Sequence, residues 1–401
     1  MAKYEAGTLT PEDAQKILTS SLAYEMPSVL GYALSFALFK TYGIPSISKI
    51  LKGTGELSSK DGISKRYTDT AILIATWVAC PITGKTYKDE DEALISKSFF
   101  SNTGSEAEDD PRAMISLARV NWLHAKYPIR NEDYLYTLAL FAFEPERWAK
   151  RYGWRELSLL ECEAYYIYWR EIGNRMGIKN IPDSAEDFKT WAEDYELRTM
   201  VPAESNHFVA NYTLEELLHI LPEQFGIKNF ARRISITLLD DIVREAMMYP
   251  AQPPIMHFSV HNFLRSMGFV QRHLCLPRIW TDGPVEAKLP DFAKISSGCL
   301  SMKSTSTEKA GDVQLYRMHP RQFTQRPWYM PEPTSLLGYA RARFAVWAGL
   351  YEEMPSRKLR SEGYRLEELG PLKYEHSGHE EVLKMAERLQ GHPITGPWAR
   401  N

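Results

Sequence analysis

From Thr10 to Tyr351 the chain repeats one pattern: apolar residues at helical spacing, cut into lengths by Gly and Pro. No apolar–polar alternation runs longer than a few positions and there is no internal repeat, so nothing points to a sheet. The expectation is an all-α protein, a single large helical domain enclosing a ligand cavity, with long irregular segments toward the C-terminus. Thr10-Pro11-Glu12-Asp13 reads as an N-cap, a first-turn Pro and acids at the positive helix end. The apolar run within Met26–Thr41 stops at Gly43-Ile44-Pro45. Further helices are expected over Gly62–Val78, Ala113–Tyr127, Asn131–Gly153, Leu157–Gly177 and Ser184–Met200. Asn211–Leu221, Phe230–Tyr249, His257–His273 and Ser335–Tyr351 complete the set. In outline, residues 1–21 form an N-terminal extension and 22–345 the helical domain, with an excursion at 80–111 and an irregular loop region at 279–332. Within that loop region the small, polar stretch Ser296–Thr307 carries no helical pattern, and the tail 346–401 shows only short helical pieces.

Composition excludes several function classes. A net charge of −3 without clustered Lys or Arg offers no electrostatic hold on nucleic acid. Cys80, Cys162, Cys275 and Cys299 are far apart, which argues against a disulfide framework or a zinc ribbon. The N-terminus MAKYEAGTLTPEDAQ has no signal-peptide layout, and the longest apolar run, Val29–Phe39, falls short of the roughly 20 residues a bilayer requires. The expectation is a cytoplasmic protein, without a transmembrane helix and in at most peripheral contact with a membrane. Ten Trp and twenty-two Tyr suit a bulky apolar interior or a ligand cavity.

Two stretches carry chemistry. In Ala113–Tyr127, AMISLARVNWLHAKY, the apolar positions predict one buried helix face, and His124 lies on or beside it. A neutral imidazole in an apolar pocket is a good ligand for a metal or a haem iron, although a core histidine satisfied by its neighbours is the commoner case. In Ser64–Thr70, SKRYTDT, Arg66 stands three residues from Asp69 and four from Thr70, so all three share one side of a helix. A guanidinium and a hydroxyl there suit a carboxylate or phosphate group, and Asp69 is placed to give or take a proton. The alternative is a surface ion pair of small energetic weight.

These stretches also carry a resemblance. KTYGIPSISKIL (Lys40–Leu51), SKRYTDT, RVNWLHAKY (Arg119–Tyr127) and DYLYTLALFAFEPERW (Asp133–Trp148) are similar to segments of the fungal ER-bound oxygenases of the mycophenolic-acid pathway. RHLCLPR (Arg272–Arg278) and PWYMPEPT (Pro327–Thr334) follow in the same order. Those oxygenases share a catalytic domain with bacterial latex-clearing rubber oxygenases. The resemblance implies a mostly helical fold holding one haem b, with His124 as the proximal iron ligand. It also implies that Arg66 and Thr70 match an Arg-x-x-Lys-Thr pattern across the haem, with Asp69 where that pattern has Lys. A carboxylate cannot copy an amine ligand, which makes Asp69 a candidate distal acid/base group. Two departures stand out: the membrane anchor of the fungal relatives is not visible, and 80–111 looks like an insertion.

The relatives cleave carbon–carbon double bonds of isoprenoid chains. The implied function is a haem b-dependent oxygenase of fungal-type secondary metabolism, using dioxygen on a hydrophobic terpenoid or polyketide-type molecule by C=C cleavage or oxygen insertion. The alternatives are a redox-neutral isomerase, cyclase or dehydratase using the same cavity, and a haem- or lipid-binding protein without turnover. Other residues carry weaker signals. His257 and His261 have metal-ligand spacing without a third ligand nearby, and Asp240-Asp241 is an acidic pair without partners. His273 suits the cavity wall or, equally, a cation at a helix C-terminus, and Glu144 suits an anchor for a helix end.

Overall fold

The computed structural model describes residues 2–57, 59–82, 110–219, 221, 224–279, 283–289, 315–321 and 326–400. Most of the 80–111 excursion, most of the 293–318 region and Cys299 lie outside them. Among the described residues there are fifteen α-helices and no strand; Met318 and Tyr364 form an isolated bridge. The all-α expectation holds.

In chain order the helices begin with α1 (Ala2–Glu5), α2 (Pro11–Thr19), α3 (Pro27–Thr41), α4 (Pro45–Gly53) and α5 (Lys60–Ala79). Next come α6 (Arg112–His124), α7 (Asn131–Tyr152), α8 (Leu159–Arg175), α9 (Ala185–Thr199) and α10 (Glu204–Leu217). The series ends with α11 (Ile227–Thr237), α12 (Asp241–Ala246), α13 (Pro254–Leu274), α14 (Leu336–Trp347) and α15 (His379–Gln390). Caps follow the local chemistry: the Thr10 hydroxyl accepts from the Asp13 amide, and Ser158 with Glu161 forms a capping box on α8.

Several boundaries differ from the sequence expectation. A single π-helical turn at Ser20–Glu25 links α2 to α3, and α4 follows Gly43-Ile44-Pro45 where no helix was expected. The expected helix Phe230–Tyr249 is two helices, because the Asp240 backbone is extended at the N-cap of α12. That break places the Asp240 carboxylate against Arg147 at 2.8 Å and Arg151 at 3.2 Å. The C-terminal segment contains one full helix, α15, rather than short pieces alone.

The main core joins α2, α3 and α5–α8 with residues as late as Leu366, Leu369, Val382 and Trp398. Phe141 stacks on Trp169 with ring centroids 4.7 Å apart. Burying a side chain of that size contributes about 1.5–3 kcal/mol. α6 runs through the middle, and its two buried arginines bind carbonyls of distant segments. Arg112 pairs with Asp110 and donates to the Glu286 and Ala287 carbonyls. Arg119 donates to the carbonyls of Leu369 (2.7 Å), Tyr374 (2.8 Å) and Ser377 (2.9 Å). The backbone must come close for this. A Cβ on Gly370 (φ +119°) would sit 2.8 Å from Leu123, and one on Gly378 (φ +76°) would overlap the Trp122 ring. Among the described residues no single helix is long and apolar enough to cross a membrane; only α2 with its π-turn and α3 together pass that test, bent by 113°.

Candidate functional site

A chamber of about 1000 Å³ opens between α3, α5, α6, α7 and α8, and Gly370-Pro371-Leu372 of the C-terminal segment closes part of its wall. Its size is at the upper end of small-molecule and cofactor sites, and its lining is mostly apolar and aromatic. His124, Arg66, Thr70 and Asp69 all line it, so the two chemical stretches of the sequence meet in one cavity.

His124 is the last residue of α6. Its ring lies 5.5 Å from the Tyr134 ring, and its Nδ1 is enclosed by protein with no hydrogen-bond partner. Burial pulls the imidazole pKa down to about 4, and the positive charge of Arg66 adds to the effect. The ring is therefore neutral at physiological pH. A histidine retained in an apolar wall, uncharged and without a satisfied Nδ1, suits a metal-bound group better than it suits ordinary core packing.

α5 supplies the other polar wall. Arg66 and Thr70 are partly buried at the chamber, one helical turn apart. Asp69 is fully engaged: Oδ2 accepts from Lys65 Nζ (2.7 Å) and from the Gly370 amide (2.9 Å), and Oδ1 accepts from the Tyr329 hydroxyl (2.7 Å). Lys65 also donates to the Gly370 carbonyl at 2.7 Å. Burial, followed by the Asp69 charge, pushes the Tyr329 phenol well above its usual range. Lys65, Tyr329 and Gly370 were not singled out from the sequence. Lys65 had a detectable signal, since it stands four residues before Asp69 on the same helix. Tyr329 lies in the PWYMPEPT segment and Tyr134 in DYLYTLALFAFEPERW, both noted for resemblance alone.

The minor candidates fall elsewhere. His261 Nδ1 is 2.7 Å from the Tyr152 hydroxyl, and its ring stacks on His257. Asp240 is held by arginines, and Glu144 bonds Lys40 and Arg147. No group of three or more His, Cys, Asp or Glu side chains able to hold a metal ion is present among the described residues. A haem would need only one protein ligand, and the residues fit it: a neutral imidazole with an orphaned nitrogen, an Arg–Thr pair for a carboxylate, and an apolar chamber of sufficient size.

Fold and site together define an all-α protein with a large apolar chamber and a neutral histidine in its wall. Residues 48–271 match the family described as ER-bound oxygenase mpaB/B'/Rubber oxygenase, catalytic domain, and the chain belongs to that family. It is 29% identical over 404 aligned residues to the ER-bound oxygenase mpaB' of Penicillium brevicompactum, covering 95% of this chain and 83% of that protein. It is 33% identical over 260 residues to the ER-bound oxygenase mpaB of Penicillium roqueforti, covering 60% of this chain and 77% of that protein. Membership places the chain among oxygenases.

Proposed function

We propose that the chain is a haem b-dependent oxygenase that uses dioxygen on a lipophilic terpenoid or polyketide-type molecule, by C=C cleavage or oxygen insertion. The carrying observation is the enclosed, neutral His124 in a mostly apolar chamber that it shares with Arg66 and Thr70. Bound haem would supply the dioxygen chemistry. His124 would hold its iron, kept in place by packing against Tyr134 and made available by a pKa that keeps the imidazole unprotonated. Arg66 and Thr70 would orient a carboxylate through a fixed guanidinium fork and a hydroxyl. The apolar walls from α3, α7 and α8 would exclude water and take the hydrocarbon part of the substrate. Asp69 is the acid/base group of this reading. A proton moving on that side would pass along Lys65–Asp69–Tyr329, where every contact is 2.7 Å.

The test is the ultraviolet–visible spectrum of protein produced with haem precursor, before and after dithionite. The expected result is a Soret band that shifts on reduction and is absent in a folded His124→Ala variant. A flat spectrum from folded, helical protein would overturn the haem reading and leave redox-neutral chemistry in the same chamber. A Soret band unchanged in His124→Ala would move the ligand elsewhere.

A further inference from the structure

We infer that the outward face of α13 docks on an anionic lipid bilayer. Of its 21 residues only Val260 and Gly268 are buried. Ile255, Phe258, Phe263, Met267, Val270 and Leu274 are exposed, Phe258 by 68% and Leu274 by 76%. At 100° per residue these six fall within one half of the helix circumference, opposite Val260, Leu264 and Gly268, which face the body of the protein. The exposed face continues past the helix end through Leu276 and Ile279. Ser259, Asn262, Ser266 and His273 lie in the same half, so apolar side chains predominate on the solvent side with small polar ones among them. A helix with an exposed apolar face of this kind has the layout of an interfacial helix.

Charge selects the occupant. Residues 246–281 contain no Asp or Glu, in a chain with 51 acids among 401 residues, yet they contain Arg265, Arg272 and Arg278. Arg265 and Arg272 are exposed at one edge of the apolar face. Asp240 and Asp241 at the start of α12 share a surface cleft with Phe258 and Arg265, and Asp240 is held there by Arg147 and Arg151. An apolar surface edged with arginine complements anionic headgroups over acyl chains. A second copy of α13 itself would offer these arginines no acid to pair with.

The face also leads to the chamber. Gly268 packs against the carbonyls of Tyr152 and Gly153, and Gly153 packs against Met26. Met26 directly precedes Pro27 and Ser28, which line the chamber, as do Arg278, Gly283 and Pro284 just beyond α13. Docking would hold that rim against the lipid. Its use as a route for substrate rests on the lipophilic-substrate reading above, whereas the docking itself does not.

The experiment is flotation of the full chain with phosphatidylcholine vesicles, with and without about 30% phosphatidylserine. Wild type is expected to float with the anionic vesicles, less so as salt rises. Phe263→Ser/Met267→Ser/Leu274→Ser should lose at least about tenfold in partitioning with an unchanged circular dichroism spectrum. Arg265→Glu and Arg272→Glu should each cost about fivefold or more, on anionic vesicles only. Wild type that stays with the lipid-free fraction overturns the inference. So does a triple variant that floats like wild type, or a loss caused only by Leu336→Ser/Trp347→Ser on α14. A wild-type dimer that becomes monomeric in the triple variant, without vesicle binding, would assign the face to a second copy instead. Failure of the haem reading is a separate result: His124→Ala should float normally whatever its spectrum shows.

Discussion

Helices α6 and α13 divide polar and apolar residues in opposite ways. α6 buries eleven of its thirteen residues, two arginines among them, while α13 buries two of twenty-one and leaves a row of aromatic and aliphatic side chains outside. Residue type alone would have placed several of these the other way. Burial follows the partner. Arg119 survives inside because three carbonyls of the C-terminal segment converge on its guanidinium and Trp122 lies 4.9 Å from it. Within the protein, the outward face of α13 has no such counterpart among the described residues.

The sharpest way to break the contrast is to remove the partner's reason to be there. Arg119→Met keeps the length and apolar bulk of the side chain but leaves the Leu369, Tyr374 and Ser377 carbonyls without their donor. The expected loss is about 3–5 kcal/mol in urea unfolding. Arg119→Lys should recover little of it, because an ammonium cannot reproduce the planar fork that reaches three acceptors. A loss below about 1 kcal/mol would mean that the C-terminal segment is held by its other contacts, such as those of Gly370 with Lys65 and Asp69.

Next in size is a pair of pH effects, measured on protein without added haem. His124, at the end of α6, has no partner for a charge and titrates at about 4 against 6.5 for a free imidazole. Between those values the unfolded chain binds the extra proton, so its contribution to stability is complete above pH 6.5 and is lost as pH falls toward 4. Glu216 on α10 is displaced the other way, raised by burial from 4.5 to about 7. Here the folded chain holds the extra proton, so stability falls as pH rises from 4.5 to 7. Each slope amounts to about 3 kcal/mol at most, and over most of the window they oppose each other. Relative to wild type, His124→Gln should gain stability on acidification and Glu216→Gln on alkalinisation. Parallel stability–pH curves for wild type and either variant would show that the group carries no such shift.

A third, smaller effect concerns the close approach itself. Gly370→Ala puts a methyl group 2.8 Å from Leu123 at a φ of +119° and disturbs a backbone whose amide and carbonyl bind Asp69 and Lys65. About 1–3 kcal/mol of destabilisation is expected in the same unfolding assay. A neutral substitution would mean that the segment can shift without disturbing α5.

These cases show what the sequence could convey. Helical periodicity located α5 and α6, and with them Arg66, Asp69, Thr70 and His124, because a repeating spacing survives in one dimension. The contacts of Arg119 could not be read, since its acceptors are backbone carbonyls some 250 residues later and any residue type supplies one. Gly370 gave no sign of its place beside Lys65 and Asp69, as a lone glycine in an irregular stretch reads as an ordinary turn. The break at Asp240 was hidden for a different reason. Apolar spacing continues across it, and only the arginines of α7 show why the carboxylate leaves the helix there.

The smallest prediction tests the contrast inside α13, at adjacent positions. Gly268 faces α7, where an added Cβ would lie 2.8 Å from the Tyr152 carbonyl, and Phe269 faces outward with 63% of its surface exposed. Alanine is the better helix former by about 1 kcal/mol, so propensity alone would make Gly268→Ala stabilising. The backbone contact should outweigh that gain, because a carbonyl cannot move aside as a side chain tip can, leaving a net loss of about 1 kcal/mol. Phe269→Ser removes far more apolar surface but takes it from outside the fold, and should change stability by no more than about 0.5 kcal/mol. The two variants should also separate on lipid: Phe269→Ser weakens vesicle binding at constant stability, and Gly268→Ala does the reverse. A large stability loss in Phe269→Ser would show that the face already has a partner within the protein, and the inversion between α6 and α13 would then be only apparent.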